Sequence, residues 1–202
     1  MQIDYVYSPG SPFSFLGHAE LGRIAARHGA SIRHRPVDLG RIFAATGGLK
    51  LHDRAPERQR YRLVEIERWG RIRGIPIRPD PHCHGASREL GAGLVIAAQE
   101  LGYDPFALAE WIMQTCWLHD RDIADAEMLG VLRARFGLYA SPDAALSAPI
   151  QAIWRANTEA AIAEGVFGAP TYIVDGEMFW GQDRLELVEE ALRLKQDGRF
   201  SA

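Results

Sequence analysis

Polar and apolar positions alternate from the second residue onward. Gln2–Tyr7 has this period and contains Ile, Tyr and Val, which predicts a strand. Ser8-Pro9-Gly10 is a breaker cluster that ends it. The spacing then changes: Leu16, Leu21, Ile24 and Ala25 form the apolar stripe of a helix. That helix starts near Ser11 or Pro12, because a proline suits the first helical turn, and Gly29 is placed to stop it. Positions 30–37 read as a second strand, giving a β–α–β unit.

The other end has a different grammar. Thr171–Val174 and Glu177–Trp180 read as short strands joined by Asp175-Gly176, a tight-hairpin signal. Leu185, Val188 and Leu192 mark a final amphipathic helix, so this end is a β–β–α unit. Between the two lies mostly helical sequence. Pro56 and Glu57 open one helix with Leu63, Ile66 and Trp69 on its apolar stripe. Positions 88–101, 105–116, 126–136 and 149–164 have the same character, and Gly102 stands at a helix stop. These units predict an α/β chain with a thioredoxin-like fold and an inserted all-helical domain. The thioredoxin-like domain is discontinuous, at 1–38 and 165–202, and the helical insertion occupies 39–164.

Composition narrows the function classes. Of 202 residues 47% are apolar and 24% charged, enough for an ordinary core, and the net charge of −3 argues against nucleic acid or a membrane surface as partner. No apolar run approaches the ~20 residues of a membrane span. Strand-like sequence from Gln2 leaves no room for a signal peptide, and two cysteines are too few for a disulfide framework. The expectation is a cytoplasmic protein with reduced thiols. One local imbalance matters: positions 50–78 hold nine Lys/Arg against Asp53, Glu57, Glu65 and Glu67. This is either a solvated helix face or a basic rim that attracts an anionic small molecule.

In a thioredoxin-like fold the reactive group sits where the first helix begins, because unpaired N–H groups and the helix dipole stabilise an anion there. Here that stretch reads Ser11-Pro12-Phe13-Ser14, with no cysteine, so dithiol exchange cannot run from it. A serine hydroxyl can cap the helix, or it can donate a hydrogen bond to a sulfur anion brought by a cofactor. The second candidate is Gly165-Val166-Phe167-Gly168-Ala169-Pro170-Thr171, directly before a strand. The dipeptide alone favours a trans proline, whereas the fold argues for a cis Ala169-Pro170 bond that exposes the Ala169 backbone. The third is Trp180-Gly181-Gln182-Asp183-Arg184. Asp183 with Glu186 matches a capping pattern, and Gln182 and Asp183 equally suit the charged end of a peptide-like cofactor.

Those three stretches, in that order and spacing, resemble the 2-hydroxychromene-2-carboxylate isomerases and the kappa-class glutathione transferases. Arg35-Pro36-Val37-Asp38-Leu39, Glu67-Arg68-Trp69 and Asp122-Ile123 are similar too, so the resemblance covers nearly the whole chain. It implies a homodimer that binds glutathione as cofactor, with Ser11 catalytic and in contact with the thiol. Ala169 and Pro170 would meet the cofactor backbone, and Gly181, Gln182 and Asp183 its γ-glutamyl end. It also implies an anionic aromatic substrate, held on the side of Asp53 and Arg54. The isomerases of this kind have a lysine after the second strand and an Asn-Arg pair further on. Here Phe43 or Ala44 takes the first place and Asp53-Arg54 the second, which changes how a carboxylate would be held.

The leading expectation is therefore a glutathione-dependent isomerase of an aromatic carboxylate. A kappa-like transferase or peroxidase, and a non-catalytic thioredoxin-like binding module, are the alternatives. No metal is expected: His82-Cys83-His84 lacks spaced third and fourth ligands, and Cys83 is read as a loop residue at a pocket edge. Cys116 and Trp117 are read as core, and Asp120, Arg121 and Asp122 as a turn and cap.

Overall fold

The computed structural model describes residues 1–137 and 141–199. Strands β1 (Gln2–Tyr7), β2 (Ser31–Pro36), β3 (Thr171–Val174) and β4 (Glu177–Trp180) form one sheet in the order β2-β1-β3-β4. β1 and β2 are parallel, with Tyr5 opposite His34, and β3 runs antiparallel to both β1 and β4. Helix α1 (Pro12–His28) links β1 to β2. Helices α2 (Leu39–Thr46), α3 (Pro56–Arg73), α4 (Arg88–Glu100), α5 (Phe106–Trp117), α6 (Ala126–Phe136), α7 (Pro142–Ala145) and α8 (Ala148–Ala163) fall between β2 and β3, and α9 (Leu185–Gln196) closes the chain.

The period-two alternation assigns the two faces of the sheet. Ile3, Tyr5 and Tyr7 of β1 and Tyr172 and Val174 of β3 join α1, α4, α5 and α9 in one apolar cluster. Val6 points the other way and packs with Val37, Ile42, Ala161 and Val166, beneath α2 and α8. Tyr5 stacks on Tyr7 and Tyr172 with ring centroids 3.9 and 5.6 Å away. Leu94, Ala98, Leu108 and Ile112 of the helical segment share this cluster with Leu21 and Ile24 of α1, so sheet and helices have a continuous core.

Arg35 and Asp38 act here as fasteners. The Arg35 guanidinium donates to both carboxylate oxygens of Glu164 at 2.8 and 3.1 Å, tying the edge strand to the residue that ends α8. Asp38 caps α2, accepting from the Gly40 and Arg41 N–H groups. The cysteine expectation needs correction: Cys83 and Cys116 are disulfide-bonded, with Cα atoms 5.8 Å apart. The long α3–α4 loop folds back along the end of α5, where the Arg78 N–H donates to the Trp117 carbonyl at 2.8 Å, and this brings the two sulfurs together. Sequence spacing gave no sign of that fold-back. Among the described residues no helix is long and apolar enough to cross a membrane, and no group of three or more His, Cys, Asp or Glu could hold a metal ion.

Candidate active site at the start of the first helix

β1 delivers the chain into a tight turn in which the Ser11 N–H donates to the Ser8 carbonyl at 2.9 Å. Ser8 itself is engaged in that turn, its Oγ accepting from the Gly10 N–H at 3.3 Å. Ser11 has extended backbone, Pro12 follows as the first helical residue, and the Ser11 Oγ accepts from the Ser14 N–H at 3.3 Å. Ser11 is therefore the helix cap. The cap uses a lone pair of the oxygen and leaves its proton without an acceptor among the described residues. The Phe13 N–H likewise has no partner among the described residues, and the first turn of α1 has no acidic residue to neutralise the positive end of the helix. A buried hydroxyl, 6% exposed, thus keeps a donor available beside an uncompensated helix N-terminus.

The Ala169-Pro170 peptide bond is cis. Thr171 pairs with Val6 of β1, so the Ala169-Pro170 segment comes alongside the chain leading to Ser11. The Ala169 N–H and C=O make no hydrogen bond with any described residue. Ala169 is half-buried, which leaves an unpaired peptide edge within reach of a ligand.

The third stretch returns to the same end of the sheet. The Gly181 N–H donates to the Pro170 carbonyl at 2.9 Å, and Gly181 turns the chain with φ 110°, a value that favours glycine. Gln182 then packs against α1 at Gly17. A Cβ there would lie 2.7 Å from the Tyr172 hydroxyl and 2.9 Å from the Gln182 Cβ, so only glycine lets the helix approach this closely. Asp183 provides no side-chain cap to α9, contrary to the capping alternative; its carboxylate pairs with Arg184 at 3.0 Å and is 38% exposed.

Arg73, at the end of α3, is a site residue the sequence did not reveal. It donates to the Gln182 main-chain carbonyl at 3.1 Å and to Oε1 at 3.3 Å, which leaves the Gln182 amide nitrogen free to donate elsewhere. A basic residue in the last turn of a helix is ordinary, so no local signal marked it.

The basic stretch divides in two. Arg54 donates to the Leu49 carbonyl at 2.9 Å and lies over the Phe43 ring at 5.5 Å, while Asp53 is exposed and pairs with His52. Arg54, Arg58 and Arg62 recur at intervals of four, the one signal that Arg62 shares a face with them. Arg62 is half-buried and makes no hydrogen bond or ion pair with any described residue. Burial and the Arg54 charge push its pKa down to about 10, offset in part by Asp80. The His84 ring lies 5.1 Å from that of Trp117, and burial together with the Arg62 and Arg88 charges lowers its pKa to about 4, against the opposing pull of Asp80. Arg88 in turn packs against Gly10, where an added Cβ would lie 3.0 Å from its Cγ. Arg62 and Arg88 are thus both close enough to His84 to disfavour its protonation, and Arg88 reaches the turn that leads to Ser11.

Sheet order, the inserted helices, the cis bond before β3 and the serine cap of the first helix define a class. The chain belongs to the DsbA-like thioredoxin domain family, whose description matches residues 2–193. Within that family its likeness is to the 2-hydroxychromene-2-carboxylate isomerases. It is 30% identical to one from Pseudomonas sp. (strain C18), over 94% of this chain and 89% of that one. It is 29% identical to one from Pseudomonas putida, over 95% and 94% of the two chains. A solved 2-hydroxychromene-2-carboxylate isomerase structure superposes with a TM-score of 0.84 at 27% identity, covering 100% of both chains.

Proposed function

We propose that this chain is a glutathione-dependent isomerase of an aromatic carboxylate such as 2-hydroxychromene-2-carboxylate. The observation that carries the reading is the Ser11 hydroxyl, capped through its oxygen and free at its proton, at a helix N-terminus with no compensating acid. That is a site for an anion with no side-chain nucleophile of its own, so the thiol must come from a small molecule. The relatives named as isomerases supply the reaction class.

The residues present fit glutathione. Ser11 and the Phe13 N–H would donate to its sulfur anion, and the unpaired Ala169 peptide edge would pair with its backbone. Asp183, an acceptor when ionised, would hold the γ-glutamyl ammonium, and the free amide nitrogen of Gln182 would donate to the adjoining carboxylate. When bound, glutathione supplies a thiolate that adds to a conjugated carbonyl compound and leaves again, so that a double bond can rotate in between. The protein lowers the cost of the sulfur anion with fixed dipoles and holds the substrate carboxylate on the Arg54 and Arg62 side.

Product analysis with and without glutathione tests this. The proposal expects interconversion of 2-hydroxychromene-2-carboxylate and its ring-opened isomer, with glutathione required and not consumed. Stoichiometric loss of glutathione would assign the site to a transferase instead. Absence of glutathione binding by calorimetry would remove the proposal altogether.

A further inference from the structure

The α3–α4 loop and α5 together carry a pair of groups that the proposed isomerase chemistry does not use. Cys83 lies in that loop and Cys116 near the end of α5, joined across 33 residues of sequence. Both are half-buried, and both line a narrow cleft whose other walls include Pro9, Gly10, Ser87 and Arg88. Pro9 and Gly10 are the residues that lead into Ser11.

Up to Cys83 the loop is stitched to α5 without help from the disulfide. The Arg78 Nε donates to the Leu118 carbonyl at 3.0 Å. Asp120 takes the His82 Nδ1 at 2.7 Å and the Cys83 N–H at 3.2 Å. Beyond Cys83 the hydrogen bonds turn inward: the Ala86 N–H donates to the Cys83 carbonyl at 2.9 Å and the Arg88 Nε to the Gly85 carbonyl at 3.0 Å. Ser87 is held at φ 47°, a left-handed conformation that costs a non-glycine residue free energy, and its side chain makes no capping bond to α4. The next residue, Arg88, rests on Gly10. A strained segment of four residues therefore connects the disulfide to the wall of the Ser11 turn.

We propose that Cys83 and Cys116 form a reversible thiol–disulfide switch that sets how firmly residues 84–88 are held against the Gly10 turn beside Ser11. Its reductant is a small anionic thiol of the glutathione type. Arg88, Arg121 and Asp122 line the cleft, and Arg121 is already paired with Asp125 and Glu127, so Arg88 is the lining cation without an ion pair among the described residues that an approaching thiolate can meet. One thiolate attacks one cysteine sulfur and expels the other as a thiolate. A second attacks the small-molecule sulfur of the mixed disulfide, releasing the oxidised small molecule and the second cysteine thiolate. Two electrons enter the protein and each thiolate takes up a proton as pH requires; the small-molecule disulfide reverses the sequence. The switch does not require glutathione to bind at Ser11.

The full chain would be equilibrated in glutathione buffers of varied reduced-to-oxidised ratio, acid-quenched and alkylated, and weighed by mass spectrometry. The two cysteines should become alkylatable together. Hydrogen exchange of the reduced form should then be faster by roughly tenfold at 84–88 and unchanged in α3. A Cys83→Ser, Cys116→Ser variant should behave as the reduced protein in every buffer. Should that variant fail to fold, the wild-type comparison alone decides. A pair that never oxidises, one that millimolar glutathione cannot reduce, or equal exchange at 84–88 in both states would overturn the proposal.

Discussion

Arg73 donates to both oxygens of Gln182, the main-chain carbonyl at 3.1 Å and the side-chain Oε1 at 3.3 Å. The contact joins α3 to the β4–α9 junction and fixes which end of the Gln182 amide faces outward. Gln182 is 2% exposed, so removing its donor leaves buried carbonyls unpaired. Arg73→Met should cost about 1–3 kcal/mol of stability and weaken glutathione binding several-fold. Calorimetry and thermal melts check both. An unchanged affinity would detach Gln182 from the cofactor site.

Asp183 is the companion test. Because it makes no cap bond to α9, Asp183→Ala should leave the melting temperature nearly unchanged. If its carboxylate holds the glutamyl ammonium, affinity for glutathione should fall by on the order of tenfold, as for a charge-assisted contact.

Ser11 caps α1, and the proposed function adds a second role as donor to a thiol; substitution can separate the two. Ser11→Ala removes cap and proton together, so it should lower stability by about 1 kcal/mol and also raise the bound thiol's pKa. Ser11→Asp keeps a capping oxygen but replaces the donor with a negative charge facing the sulfur. Its melting curve should match the parent while turnover falls below even that of the Ala variant. Parent-like turnover in Ser11→Asp would show that the hydroxyl proton is not used.

Arg62 is a half-buried cation with no bonded partner among the described residues, a poor arrangement unless an anion joins it. Arg62→Met should raise KM for a carboxylate substrate by about tenfold and leave glutathione affinity as it was. The parent's KM should also rise with ionic strength more steeply than the variant's.

His18 and His34 set an acid limit on the fold. They are 1% and 2% exposed; the His18 Nε2 donates to the Phe106 carbonyl at 3.1 Å and the His34 Nδ1 is hydrogen-bonded to the Tyr7 hydroxyl at 2.9 Å. Burial lowers their pKa values from 6.5 to about 4 and about 3, respectively. Above pH 6.5 neither the folded nor the unfolded chain protonates them, and their contribution is complete. As pH falls from 6.5 toward 4, the unfolded chain binds protons that the folded chain refuses, so stability drops by up to about 1.4 kcal/mol per pH unit for each histidine. Melts across that range should show the decline, and a His18→Leu variant should show a shallower slope, with His34 and the likewise depressed His84 carrying the remainder.

Much of this protein is dictated locally. Alternation in Gln2–Tyr7 puts Tyr5 and Val6 on opposite faces of the sheet because side chains on a strand alternate. Asp175 and Gly176 make the hairpin because both adopt positive φ, 49° and 89°, which their residue types tolerate. Ser11-Pro12 starts a helix because one caps and the other needs no N–H partner. Periodicity and turn chemistry say which face a residue occupies, but not which distant segment meets it there. The Cys83–Cys116 bond, the Arg73–Gln182 contact and the Arg62–His84–Arg88 cluster each join segments far apart in sequence or on separate elements. They exist because a folded-back loop and the packing of α3 against α1 bring those groups together, and the tertiary structure alone decides that.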